Sequence, residues 1–405
     1  MWCKGSGCKV CQKTGRNPKC DGKFLESIAV DKLDDDKVKV KDKLAHAMLF
    51  NSAATTMLNY VRQYDHFKTK RDDGYILHPN YKQCGPITGR LAAERPNMQN
   101  VASDESGSKK VDIDYRLRES FISRDDHVLY IPDYSQIEVW ILALLSGDKE
   151  LINKLAQGGD AHQLVADLIW PDAYDKKIAK KAEYKKPEKR IAKETKHLKE
   201  KTRIRKTIKT LNFGIIYGQG LEKTASGIGC TEQEAAEYLR QYHEALPAVR
   251  AFMKSSVEEA KQLGHVINPY GRYYPIPKDR IYVATNYRVQ GTAAEIMKNA
   301  IINVDKLARK KYKGKMHTLL NIHDELMVEV HKSIHNKKTQ KDVVKAMTKD
   351  SKFLGCPIRF PVTIRRVLKM VTPVIVPLPY ILSNGDQLFS FLLGKELDIL
   401  EIWSL

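Results

Sequence analysis

Apolar and polar positions repeat along this chain with two different periods, and the switches between them outline its elements. In residues 44–70, LAHAMLFNSAATTMLNYVRQYDHFKTK, the positions Leu44, Met48, Leu49, Met57, Leu58 and Val61 recur at helical spacing and predict one helix. Asp73-Gly74 breaks it, and an extended ILHPNY follows. Residues 85–100, GPITGRLAAERPNMQN, are rich in Gly, Pro and Asn and predict loop and turn. HVLYIPDYS reads as an apolar strand carrying Asp133 near its end, and EVWILALLSG reads as a helix. Further helices are predicted over 160–170 and 202–220. Thr231-Glu232-Gln233-Glu234 is a capping box that opens a helical region reaching residue 264, divided by Pro247. VINPYGRYYPIP predicts a hairpin turning at Gly271-Arg272. A long helix follows, with Gln290, Ala294, Met297, Ile301 and Val304 down one side. LLNIHDELMVEV reads as strand, turn, strand, with His323, Asp324 and Glu325 at the tip and Glu329 and His331 facing outward.

The 405 residues leave room for one large multi-lobed unit or two to three domains. Lys and Arg total 69 against 49 Asp and Glu, a formal charge of +20. That excess calls for an anionic partner, most simply a phosphate backbone, although a basic protein without such a partner would have the same composition. The density peaks between Lys176 and Lys209, where sixteen Lys or Arg stand against four Glu. Such a run is either a solvated helix face or a phosphate contact. No run of 18 purely apolar residues occurs, so no membrane span or membrane partner is expected, and with no signal peptide before the cysteines a reducing, cytoplasmic compartment is expected. The seven cysteines do not make a disulfide scaffold. Four crowd the front, and Cys8-Lys9-Val10-Cys11 with Cys3 and Cys20 could complete a structural Zn²⁺ tetrahedron; a reduced leader is the other reading.

The candidate chemistry lies in separated acids. Asp133 and Asp324 each sit in an apolar, strand-like segment. Brought together, two carboxylates can hold two Mg²⁺ ions about 3.5–4 Å apart for phosphoryl transfer. Between them Arg205, Lys209, Phe213 and Tyr217 recur every four residues and share one helix face, with Ile208, Leu211 and Ile215 on the packing side. The cations suit a triphosphate, Phe213 a sugar and base, and Tyr217 a templating base. Gly214 and Gly218 would let nucleotide and template approach the backbone. Arg90 and the amides of its loop could hold a duplex, and Arg118 precedes the first-acid strand. Asn286 and Gln290, four apart, could read minor-groove edges or cap one another in the core. This order of features points to a template-directed polymerase.

The motifs DYSQIEVW (133–140), RKTIKTLNFGIIYG (205–218), His-Asp-Glu (323–325), TGRLAAERPNMQN (88–100) and QGTAAE (290–295) occur in one order. Together they resemble the polymerase portion of family A DNA polymerases, over roughly residues 74–366. The resemblance implies an α+β, right-hand fold with an antiparallel-sheet palm, helical fingers and a reduced or missing thumb. Its divisions would be a leader (1–43), a thumb remnant (44–72), palm (73–158 and 264–366), fingers with a basic insertion (159–263) and an apolar extension (367–405). It implies Asp133 and Asp324 as ligands of two Mg²⁺, with Glu325 in a minor supporting role. Arg205, Lys209 and His162 would meet the triphosphate. Phe213, Gln136 and Glu138 would lie by the nucleotide, with Glu138 excluding a 2′-hydroxyl, and Tyr217 would guard the template base. Arg90, Asn97, Gln99, Arg118, Asn286, Gln290 and His323 would follow the primer–template. The implied partners are primer–template DNA, deoxynucleoside triphosphates and a protein that supplies processivity or the thumb. No proofreading unit is expected, and a phage or viral replicase in the host cytoplasm fits the small size. Two departures stand out: Trp140 where the family has Arg, and Tyr282 where it has Arg eight residues before Gln290. Reverse transcription, RNA synthesis or non-catalytic nucleic-acid binding on the same scaffold are the alternatives.

Overall fold

The computed structural model describes residues 30–32, 38–40, 43–71, 74–83, 85–101, 121–183 and 192–367. Cys3, Cys8, Cys11, Cys20, Arg118 and the C-terminal extension lie outside them. The chain divides into two compact units, one of residues 1–81, 93–123 and 369–405, the other of 82–92 and 124–368.

In the first unit, β1 (Val30–Lys32) and β2 (Val38–Val40) pair antiparallel ahead of helix α1 (Lys43–Phe67). Met57 is the buried member of the predicted apolar stripe, whereas Leu44 is 73% exposed. The helix stops short of the predicted residue 70. Lys68–Arg71 instead forms β3, paired with β4 (Gly74–Leu77). Arg71 pairs with Gly74, whose φ of +136° suits glycine at the start of β4. Tyr60 donates to the Asn100 carbonyl, and the Tyr64 ring meets Phe121 edge-on at 5.5 Å. β5 (Asn80–Lys82) and β6 (Ala92–Glu94) span the division between the units.

The second unit is built on a four-stranded antiparallel sheet. β7 is His127–Tyr134, and helix α2 (Ile137–Ser146) follows it directly. Then come α3 (Lys149–Ala156), α4 (Ala161–Ile169), α5 (Lys176–Glu183), α6 (Ala192–Ile216), α7 (Leu221–Ile228), α8 (Glu232–Ala245) and α9 (Pro247–Leu263). The hairpin β8 (His265–Ile267) and β9 (Tyr273–Pro275) leads to the long α10 (Ala284–Lys311). β10 (Met316–Ile322), β11 (Glu325–His331), α11 (Lys337–Met347), α12 (Asp350–Phe353) and β12 (Val362–Val367) complete it. The sheet order is β10-β11-β7-β12. Thr231 and Glu234 form the capping box on α8, and Pro247 opens α9 at a position that needs no N–H donor.

The core joins sheet and helices through Tyr130, Trp140, Ile208, Leu211, Leu326 and Phe360. Trp140, at the position where the family pattern has Arg, is 2% exposed and packs edge-on to Phe360. Glu329 does not face outward. It is 4% exposed, and Arg124 grips it through Nε (3.0 Å), a second guanidinium nitrogen (2.6 Å) and its backbone N–H (3.0 Å). Burial alone would raise the Glu329 carboxyl, but these bonds outweigh it and hold it below the usual range. α6 begins ten residues before the predicted 202, because Ala192–Glu200 favours helix and Ile204 has a core site to fill. A side chain at Gly291 would place its Cβ 1.9 Å from the Tyr274 hydroxyl, so α10 approaches β9 as closely as glycine alone permits.

Candidate active site

Register brings the two acids together. Asp133 lies opposite Glu325 on β11 and opposite Thr363 on β12. Asp324 occupies the two-residue turn before β11, and its carbonyl accepts the Tyr134 N–H at 3.2 Å. Buried Asn321 shapes that turn, donating to the carbonyls of His323 (3.1 Å) and Glu325 (3.2 Å), while His323 adopts φ +53°. Asp133 and Asp324 are half-buried, His323 is exposed and Glu325 is buried. Glu325 therefore belongs to the strand rather than to the tip. Among the described residues no group of three or more His, Cys, Asp or Glu forms a metal cage. Two adjacent carboxylates suit a hard cation such as Mg²⁺, which keeps water and takes further ligands from phosphates.

A second cluster adjoins the acids. Arg90 forms an ion pair with Glu138 in the first turn of α2. Arg90 and Gln290 of α10 lie beside the Tyr217 hydroxyl, and both oppose the rise that burial gives it. Burial raises the Glu138 carboxyl above its usual range; Arg90 opposes the shift and the charge of Asp324 adds to it. Four of the sequence motifs thus meet around one point. Asn286 and Gln290 are both buried, and Asn286 Nδ2 has no hydrogen-bond partner among the described residues.

The α6 face differs from a row of free cations. Arg205 holds Asp160 through Nε (3.0 Å) and a second nitrogen (2.6 Å). Gln136, left-handed at φ +56°, donates to Asp160 at 2.7 Å and accepts the Ala161 N–H at 2.5 Å. Asp160 is absent from the sequence-based candidates; its signal was an acid at the N-cap of a predicted helix, where it accepts the Gln163 N–H at 2.9 Å. Lys209 is exposed, with Nζ 5.9 Å from the Phe213 ring centre. The Phe213 ring stands 6.0 Å from Tyr217 and 5.9 Å from His162. His162 is buried and bonded to Asn212. Gly214 and Gly218 make room for the protein itself. A Cβ at Gly218 would meet the Tyr282 carbonyl oxygen at 2.7 Å, and one at Gly214 would meet Thr224 of α7 at 3.3 Å.

Asp160 carries a pH prediction. Burial would raise its carboxyl, but the bonds from Arg205, Gln163 and Gln136 outweigh that and hold it below 3.8. A depressed folded-state value stabilises above the unfolded value and is lost as pH falls through the folded one. Asp160→Asn is expected to be less stable than the parent at neutral pH, with the gap closing below about pH 4. Denaturant unfolding across pH 3–7 checks this; a gap independent of pH would contradict it.

Asn97 and Gln99 belong to the other unit and serve their own loop. Asn97 accepts the Gln99 N–H at 3.1 Å, and Gln99 Oε1 accepts the Ala93 N–H at 3.0 Å.

A family model described as DNA polymerase family A matches residues 4–367. The thermostable DNA polymerase I of Thermus filiformis is 30% identical over 303 residues, covering 72% of this chain and 32% of that protein. DNA polymerase I of Lactococcus lactis is 32% identical over 270 residues, 64% of this chain and 27% of that protein. DNA polymerase I of Bacillus subtilis is 29% identical over 338 residues, 80% of this chain and 34% of that protein. The chain thus spans about a third of the length of these relatives. Among solved structures, the POL domain of Pol1 from M. smegmatis, in complex with DNA primer-template and dNTP, shares the fold. Its TM-score is 0.62 at 24% identity, covering 86% of this chain and 60% of that one. Among the described residues no helix is long and apolar enough to cross a membrane.

Proposed function

Because the chain belongs to the family A DNA polymerases, we propose that it adds deoxynucleotides to a primer 3′-hydroxyl under the direction of a template. The observation that supports this reading is the meeting of Asp133 on β7 with Asp324 in the turn before the adjoining strand β11, beside the Arg90–Glu138–Tyr217–Gln290 cluster. Asp133 and Asp324 would hold two Mg²⁺, with Glu325 supporting them from the strand. Bound there, the ions supply the positive charge that acidifies the primer hydroxyl and neutralises the departing pyrophosphate.

The chain's own residues do the positioning. Lys209, exposed beside Phe213, meets the triphosphate. Arg205 reaches the same phosphates by sharing or exchanging Asp160. Phe213 stacks along the sugar and base, and Tyr217 stands at the template base. Gln136 acts through Asp160 rather than on the nucleotide. Glu138, held by Arg90, excludes a 2′-hydroxyl. Arg90, Asn286, Gln290 and His323 follow the primer–template. Asn97 and Gln99 do so through the loop they brace, and Arg118 joins them on its basic character alone. The palm is assigned to 73–158 and 264–366, the fingers to 159–263 and the thumb remnant to 44–72. A zinc-bound leader, a thumb-supplying partner and a cytoplasmic site of action belong to the same proposal.

Primer extension on DNA and RNA templates, with deoxy- and ribonucleotides in turn, tests the reading against reverse transcriptase and RNA polymerase. Extension is expected with deoxynucleotides on DNA. Glu138→Ala is expected to improve ribonucleotide use relative to deoxynucleotide by about 10- to 200-fold. Unchanged sugar discrimination would remove Glu138 from its role.

A further inference from the structure

Three buried polar side chains, one from each of three helices, form a hydrogen-bonded relay that ends on His162. Tyr242 of α8 is fully buried, and its hydroxyl donates to Asn212 Oδ1 of α6 at 2.7 Å. Asn212, also fully buried, turns its Nδ2 toward His162 Nδ1 of α4 at 3.0 Å.

The relay has a direction. A buried hydroxyl owns one proton and needs an acceptor for it. Asn212 Oδ1 accepts that proton. Turning the amide over would point an amino group at the hydroxyl and leave its proton unplaced. The tyrosine therefore sets the amide, and the amide presents its amino group to the imidazole. An amino group only donates, so Nδ1 must accept and the ring proton resides on Nε2. Burial pushes the imidazole down to about 4; Asp160 opposes this, and Arg205 and Lys209 add to it, so the ring is neutral near pH 7.

We propose that Asn212 and Tyr242 are positioning residues that hold His162 as an Nε2–H donor for the polyphosphate of the incoming nucleotide. This rests on the polymerase reading above. The location supports it: the His162 ring stands 5.9 Å from Phe213 and senses the charges of Arg205 and Lys209. A neutral donor at this place adds a hydrogen bond to phosphate without a third cation beside those two. With a ring that titrates only near 4, the donor does not switch across the neutral range.

The test combines spectroscopy with kinetics on the full chain. Nitrogen-15 NMR of labelled histidine is expected to find His162 as the Nε2–H tautomer in the parent, its signal shifting when a deoxynucleoside triphosphate is added. Asn212→Asp replaces a donor by a carboxylate that accepts from Nδ1–H, so the proton is expected to move to Nδ1 or the ring to become cationic. Tyr242→Phe keeps the ring's packing and frees the amide, and is expected to give mixed tautomers in a folded protein. Asn212→Asp and His162→Phe should each slow single-nucleotide addition by about a hundredfold, the scale for losing one aligned donor. The double variant should be no slower than His162→Phe, since both act through one group. Losses that multiply in the double variant, or a tautomer unmoved by Asn212→Asp, would overturn the relay even in a protein that extends primers. A nucleotide-sensitive His162 signal in a chain that extends no primer would uphold the donor while removing the polymerase reading.

Discussion

Asp133→Asn and Asp324→Asn are each expected to slow nucleotide addition by about a thousandfold or more, with primer–template binding little changed. The reason lies in charge rather than shape. Asparagine keeps the volume of aspartate, and both positions are half-buried, so neither change opens a cavity or strands a core charge. The turn that carries Asp324 is held by Asn321 and by the Tyr134 N–H on the Asp324 backbone oxygen, contacts that do not involve the altered group. What disappears is one of the two negative charges proposed to hold divalent cations beside an anionic substrate. Each substitution removes one negative charge from a chain already at +20, so binding to a phosphate backbone should hold or tighten. Single-turnover addition and fluorescence anisotropy on the same preparations separate the two effects. Near-normal addition by either variant would exclude its carboxylate from the chemistry.

Gly291→Ala is expected to destabilise the second unit, although alanine is the better helix former. In an open helix the exchange would gain about 1 kcal/mol. Here the new Cβ would lie 1.9 Å from the Tyr274 hydroxyl oxygen and 2.5 Å from the ring carbon that bears it. Tyr274 is fully buried, packs 6.0 Å from the Tyr287 ring, and its oxygen accepts from Asn268 at 3.1 Å. The ring has little freedom to move aside, so α10 must shift. Overpacking of this kind costs about 1–3 kcal/mol or more, which outweighs the helical gain. Each net kcal/mol should lower the melting temperature by about 2–4 °C for a unit of this size. Because α10 also carries Gln290, which lies beside Tyr217, nucleotide addition should fall with it. A melting temperature equal to or above the parent's would show that β9 yields more readily than this packing implies.

Much of this arrangement was legible in the sequence. Apolar runs bounded by turn residues marked β7 and the β10–β11 hairpin, and Thr231–Glu234 and Pro247 marked helix boundaries that the structure keeps. The four-residue rhythm places Arg205, Lys209 and Phe213 on one helix with Ile208, Leu211 and Ile215 buried, and Tyr217 falls in the turn just past its end. What escaped were pairings between distant segments, which periodicity cannot encode. Arg205 on a basic helix reads as a free cation, yet Asp160 holds it from 45 positions away. Glu329 reads as an outward strand position, yet Arg124 meets it across 205 positions in a covered part of the sheet. Asn212 carries no signal of its own in the sequence, and only the fold puts Tyr242 and His162 at its two ends. Asn97 and Gln99 read as duplex contacts because loop amides serve either purpose, and here they cap their own backbone.

On the proposed reading, Asp133, Asp324 and the α6 face together perform templated nucleotide addition. The most direct measurement is single-turnover addition of one deoxynucleotide by the full chain to a primer–template with Mg²⁺, opposite each of the four template bases. A primer lengthened by one residue is expected with the complementary nucleotide, and little or no product with Asp133→Asn. Tight primer–template binding with no lengthened primer under any of the four bases would contradict it.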